Sequence, residues 1–126
     1  MNKQQASVCK RAVSITKKLL NIKNAEAIGL AVYQQQRFDG VYVGFDEINF
    51  TEAAIRLLER FKNVPDVKIT PSFAEIRRMA NPGYSKDREI YFTIHRDNKR
   101  NKNLTVRNYI LFQDVNGNLS LQFTQH

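Results

Sequence analysis

The residues most able to do chemistry in this chain are cations, and they fall in two blocks. Between residues 96 and 107, Arg96, Lys99, Arg100, Lys102 and Arg107 stand against one acid, Asp97, with Asn98, Asn101 and Asn103 interleaved. Lysine and arginine pair with phosphate oxygens, asparagine reaches phosphate, sugar or base edges, and a finger of chain between two strands fits a groove. Residues 1–38 hold Lys3, Lys10, Arg11, Lys17, Lys18, Lys23 and Arg37 against Glu26 alone. The two blocks carry more than the whole net charge of +8. The expected phosphate contacts are therefore Arg96, Lys99, Arg100, Lys102 and Arg107, with Lys10, Lys17 and Lys18 as a second basic surface. A pI near 9.8 on 14.7 kDa favours polyanions such as DNA, RNA or an acidic protein surface. The plain reading of the same residues is a solvated loop and a charge that only maintains solubility.

Other chemistries lack their parts. One cysteine and two distant histidines, His95 and His126, offer no zinc spacing. His95 falls mid-strand beside Arg96, and no G-x-S-x-G elbow marks a nucleophile. Neither a Walker loop nor G-x-G-x-x-G is present, so no cofactor is expected. Cys9 has no partner for a disulfide, which points to a reducing compartment. It sits on the apolar side of a helical pattern, as a small buried hydrophobe would.

Composition narrows the class further. With 126 residues, 42% of them hydrophobic and 25% charged, one globular domain is expected, and disordered tails, collagens and disulfide scaffolds are excluded. No stretch approaches the roughly 20 apolar residues of a membrane span, and Met1 to Lys10 lacks the apolar run of a secretory signal. A cytoplasmic location follows as the expectation.

These residues need elements to hold them. Gln4 to Asn21 reads as an amphipathic helix, with Val8, Cys9, Ala12, Val13, Thr16, Leu19 and Leu20 at helical spacing. Asn24 to Phe38 carries two signals. Ile28, Leu30 and Val32 alternate and Asp39-Gly40 suits a hairpin turn, but Ala25, Glu26, Ala27, Ala31 and the glutamines are poor strand formers, so a helix is expected. Val41 to Phe45 follows as a strand. Thr51 is expected to cap a helix to Lys62 with Ala54, Ile55, Leu58 and Phe61 inward and a Glu52–Arg56 pair on its surface.

Val67 to Thr70 is a short strand, and Ser72 opens a short helix carrying Phe73, Ile76 and Met79, ended by Asn81-Pro82-Gly83. The last third alternates as strands: Ile90, Phe92 and Ile94 against Tyr91, Thr93 and His95, then Thr105 to Phe112, then Leu119 to Thr124 after an Asn116-Gly117 turn. Helices packed on a C-terminal antiparallel sheet make the fold class α+β. Most of the aromatic rings are expected in the core, with Tyr91 on the opposite side of its strand.

Several stretches resemble known families. Arg107 to Phe123 is similar to the closing hairpin of the cone-shaped NTF2-like fold, a family of both enzymes and non-catalytic subunits. The helices at 51–62 and 72–80 with the basic hairpin resemble a winged-helix protein, in which that hairpin would be the wing. Pro65-Asp66-Val67-Lys68, with Asp46 or Glu47 upstream, is similar to the PD-(D/E)xK nucleases, where two acids hold Mg²⁺ and a lysine steadies the attacking water. Gly40-Val41-Tyr42-Val43-Gly44 looks superficially like the GIY-YIG nuclease signature, whose halves lie on separate strands, whereas here a single strand holds both. The reading that results is a small, non-enzymatic, basic accessory or regulatory protein that binds nucleic acid. The rival is a protein–protein module, an NTF2-like subunit or an inhibitor of a nucleic-acid-handling machine, which takes an acidic partner or forms a homodimer. A metal-dependent nuclease using Asp46, Asp66 and Lys68 stands third.

Overall fold

Alternating apolar residues on six segments have to be buried on one side, and a single sheet does this for all of them. The computed structural model describes residues 3–33, 37–98 and 103–125. In chain order these form α1 (Lys3–Leu20), β1 (Glu26–Tyr33), β2 (Arg37–Phe45), α2 (Phe50–Phe61), β3 (Val67–Thr70), α3 (Phe73–Met79), β4 (Arg88–Asn98), β5 (Asn103–Gln113) and β6 (Leu119–Gln125). The sheet runs β1-β2-β6-β5-β4-β3, and every neighbouring pair is antiparallel. The α+β class expected from the sequence is what forms. A six-stranded sheet is far larger than a wing, so the winged-helix arrangement is not adopted. The closing hairpin of β5 and β6 is present, and it lies in the middle of the sheet because β6 also pairs with β2.

Register stacks Val43, Leu121, Leu111 and Ile90 in one row across four strands. All four are buried, and α2 covers this face with Phe50, Ala53, Ala54, Leu57 and Phe61. α3 adds Ile76 to the same core. Under α1 a second cluster joins Cys9 and Ala12 to Val41 and Val43, which places Cys9 in the interior as expected.

Three local readings are corrected by the structure. Residues 26–33 are a strand and not part of a helix from Asn24 to Phe38, because β1 is an edge strand hydrogen-bonded only to β2, where modest strand formers are tolerated. Asp39-Gly40 lies inside β2, so it is not the turn. α2 begins at Phe50 under Asn49, whose side chain accepts the Glu52 N–H at 2.9 Å, and Thr51 is already in the helix. The buried stripe therefore passes through Ala53 and Leu57, and Ile55 is exposed.

Other expected features form. The Glu52–Arg56 pair closes at 3.0 Å, Ser72 precedes α3 with Ile76 and Met79 inward, and the Asn116-Gly117 turn becomes a five-residue loop from Asp114 to Asn118. The Phe73 side chain, also expected inward, lies outside the described residues.

Candidate nucleic-acid interface

An 18-residue helix is about 27 Å long. On α1 the stripe Cys9, Ala12, Thr16 and Leu20 is buried, which leaves the charged residues outside. Lys3, Lys10, Arg11 and Lys18 are exposed and Lys17 is half-buried, and the helix contains no acid. Lys3, Lys10 and Lys17 recur every seven residues, a step of roughly 10.5 Å along the axis. Arg11 and Lys18 repeat that step beside them. The ion pairs among the described residues are Glu52–Arg56, Glu59–Lys62 and Glu75–Arg78, and none involves α1. The outer face of α1 is thus a strip of cations without carboxylate partners among the described residues.

The far end of α1 is held by α2. Asn21 takes the left-handed conformation (φ 53°) that ends the helix, and the Ile22 N–H returns to the Lys17 carbonyl at 3.1 Å. Free carbonyls remain at Lys18, Leu20 and Asn21. Arg56 Nη1 donates to Leu20 and Asn21 at 2.7 and 3.0 Å, and Arg60 Nη2 donates to Lys18 at 2.8 Å. This brings Lys17, Lys18 and Arg60 around a notch of about 490 Å³ that also includes Asn21. Three basic residues lining one hollow suit a phosphate. Sequence reasoning missed Arg60, because its spacing on α2 reads as ordinary exposed surface.

At the other basic block, β4 and β5 pair continuously from Arg88↔Gln113 to Asn98↔Asn103. Arg96 pairs with Thr105 and Arg107 with Ile94, which places both at the outer end of this hairpin. Lys99, Arg100 and Lys102 lie outside the described residues. α1 runs in the same direction as β2: Cys9 and Ala12 pack on Val41 and Val43, whereas Leu20 and Ile22 join the cluster of Phe45. Gly40, Thr124, Asn108 and Thr93 share one cross-strand level, so the first half of α1 and the β4–β5 tip lie toward the same end of the sheet. Lys17 and Lys18 lie toward the opposite end.

The nuclease set does not assemble. Asp46 follows β2 and Asp66 precedes β3, four strand spacings apart, which is about 19 Å across the sheet. They are also at opposite ends of it: Phe45 is level with Arg88 through Leu119 and Gln113, and Val67 with Ile94. Asp46 instead joins Glu26, Glu47 and Asp114 around a groove of about 940 Å³, where Glu47 accepts the Lys23 N–H at 3.1 Å. Lys17 lines this groove as well as the notch; carboxylates repel phosphate, so the groove itself is outside the candidate interface. All of Gly40 to Gly44 lies on β2.

The expectation for Tyr91 is met. Tyr91 lies on the uncovered side of β4, where its hydroxyl donates to Glu89 Oε2 at 2.9 Å. That bond, with burial and the charge of Glu89, raises the Tyr91 pKa above its usual 10.0. Tyr109 faces the core, stacked on Phe61 and edge-on to Phe123. No helix among the described residues is long and apolar enough to cross a membrane. No known protein family, curated protein or solved structure matches this chain.

Proposed function

We propose that this chain is a nucleic-acid-binding accessory protein without a catalytic role of its own. It contacts phosphates along the outer face of α1, at the Lys17–Lys18–Arg60 notch, and through the β4–β5 connection. The observation that carries the reading is α1 itself: five cations, no acid, and no ion pair to the rest of the described chain. A helix exposed only for solubility needs no such bias, and a buried neutralising carboxylate would have removed the field. Duplex or single strand is bound through the backbone, so affinity comes mainly from released counterions.

The test is binding of labelled DNA and RNA across salt concentrations. Affinity should fall linearly in a log–log plot, with a slope of about −0.7 to −0.9 per phosphate contacted. Replacing Lys10, Arg11 and Lys18 together with glutamine should flatten that slope by about 2 to 3. Replacing Lys99, Arg100 and Lys102 with glutamine tests the second block in the same way. Binding that neither triple variant alters would overturn the assignment.

A further inference from the structure

The sheet face turned away from the helices differs chemically from the rest of the molecule. Its middle row runs Tyr42, Gln122, Ile110, Tyr91 across four strands and holds no charge. The next row on one side carries Glu26, Phe112 and Glu89, and the row on the other side ends at Lys68. Tyr91 is 36% exposed, and Ile28 at the β1 bulge is 57% exposed and lies over Gly44.

We propose that this face is a homodimer interface, on which a second copy of the chain packs sheet to sheet about a two-fold axis lying across the strands. The occupant is chosen by charge. Two chains of +8 repel each other, and approach is least costly where cations are fewest; the described rows of this face hold Lys68 alone, at one edge. The α1 strip lies on the opposite side of the sheet, and Arg88, next to Glu89, is turned inward over Phe50 and Tyr84. Tyrosine, phenylalanine and isoleucine without charge are what the centre of a protein interface uses, whereas a nucleic-acid face needs cations among its rings.

Area agrees. Six strands at about 4.8 Å and three rows at roughly 6.8 Å give about 580 Å² per copy, or about 1,200 Å² in total. That is the lower limit for a specific interface, as expected of a reversible dimer.

The axis follows from where the charges sit. A two-fold along the strands lays the Glu26 and Glu89 row onto itself, acid on acid. A two-fold across the strands lays β4 on β4 in reverse, which brings Glu89 of each copy beside Lys68 of the other. The hydrogen bond from Tyr91 holds Glu89 in place for that contact. Both α1 strips then face outward on opposite sides of the dimer, so this inference does not depend on nucleic-acid binding.

Sedimentation velocity of the full chain from about 2 to 200 μM tests it. A concentration-dependent dimer is expected. Glu89→Lys and Lys68→Glu should each weaken it by about tenfold or more, and the double exchange should restore it to within about threefold. Thermal melts and the nucleic-acid titration above are run on the same variants, so loss of fold and failure of the phosphate reading register separately. A monomer throughout the range overturns the proposal, as does a dimer that both single exchanges leave intact. A monomer in which Tyr91→Ala weakens single-strand but not duplex binding also overturns it and makes the face a base-stacking platform.

Discussion

Asp114 shows how much one side chain organises. Its carboxylate accepts the N–H groups of Asn116 and Asn118, both at 2.9 Å, and the Asn118 amide at 3.0 Å. The Asn118 side chain is the largest of the influences that hold its pKa below the usual 3.8. A carboxyl lowered in this way stabilises the fold above its ordinary pKa and loses that contribution as pH falls through the folded value. The expected result is an Asp114→Ala variant with a lower Tm than the native chain at pH 7, the difference shrinking as pH falls below the usual carboxylate pKa. In the same loop Gly117 has φ +89°, and an added Cβ would meet nothing closer than Gln113 Nε2 at 4.0 Å. Its replacement by alanine should therefore cost backbone strain alone, about 1 kcal/mol by urea unfolding, seen as a lower midpoint at unchanged m-value. Asn-Gly marked this turn in the sequence. The part played by Asp114, two residues earlier, became visible only with the loop closed.

At the scale of elements, Arg56 and Arg60 of α2 tie down the end of the helix that carries the cationic strip. Arg56 is shared between Glu52 on its own helix and two carbonyls at the end of α1. Arg56→Met keeps much of the stem and leaves those carbonyls without that donor, so a loss of about 1 to 2 kcal/mol is expected at unchanged m-value. Asn49→Ala removes the cap of α2 and should cost about 1 kcal/mol in the same assay. The Glu52–Arg56 spacing was legible as an i,i+4 pair, but the bonds to α1 were not, since they span 35 and 36 residues. β1 illustrates the converse. Its period-two signal in Ile28, Leu30 and Val32 was present, and composition outweighed it until the pairing with β2 was known. Gly29 in particular reads as a helix weakener, yet a Cβ there would lie 3.3 Å from the Tyr42 ring, so its small size suits the strand pairing.

For the whole molecule, the charge acts in two opposite directions. At +8 the folded chain repels itself, so added salt should raise Tm by about 2 to 5 °C and, under the proposed function, lower the affinity for nucleic acid, measured on one sample in both assays. A protein whose charge were already neutralised internally would show neither response.

The amino-acid order by itself determined the net charge, the amphipathic first helix with Cys9 and Thr16 on its buried side, the α+β class and the turn at Asn116-Gly117. Each of these depends on neighbours within a few turns or on simple counting. Only the tertiary structure decided that β6 enters between β2 and β5, that Asp46 and Asp66 lie at opposite ends of the sheet, that Arg60 joins Lys17 and Lys18, and that Glu89 and Lys68 flank an uncharged face. Those facts come from strand pairings and helix docking between residues dozens of positions apart. Local propensity and period carry no information about such pairs, because the hydrophobic face that drives them is the same whichever strand lies alongside.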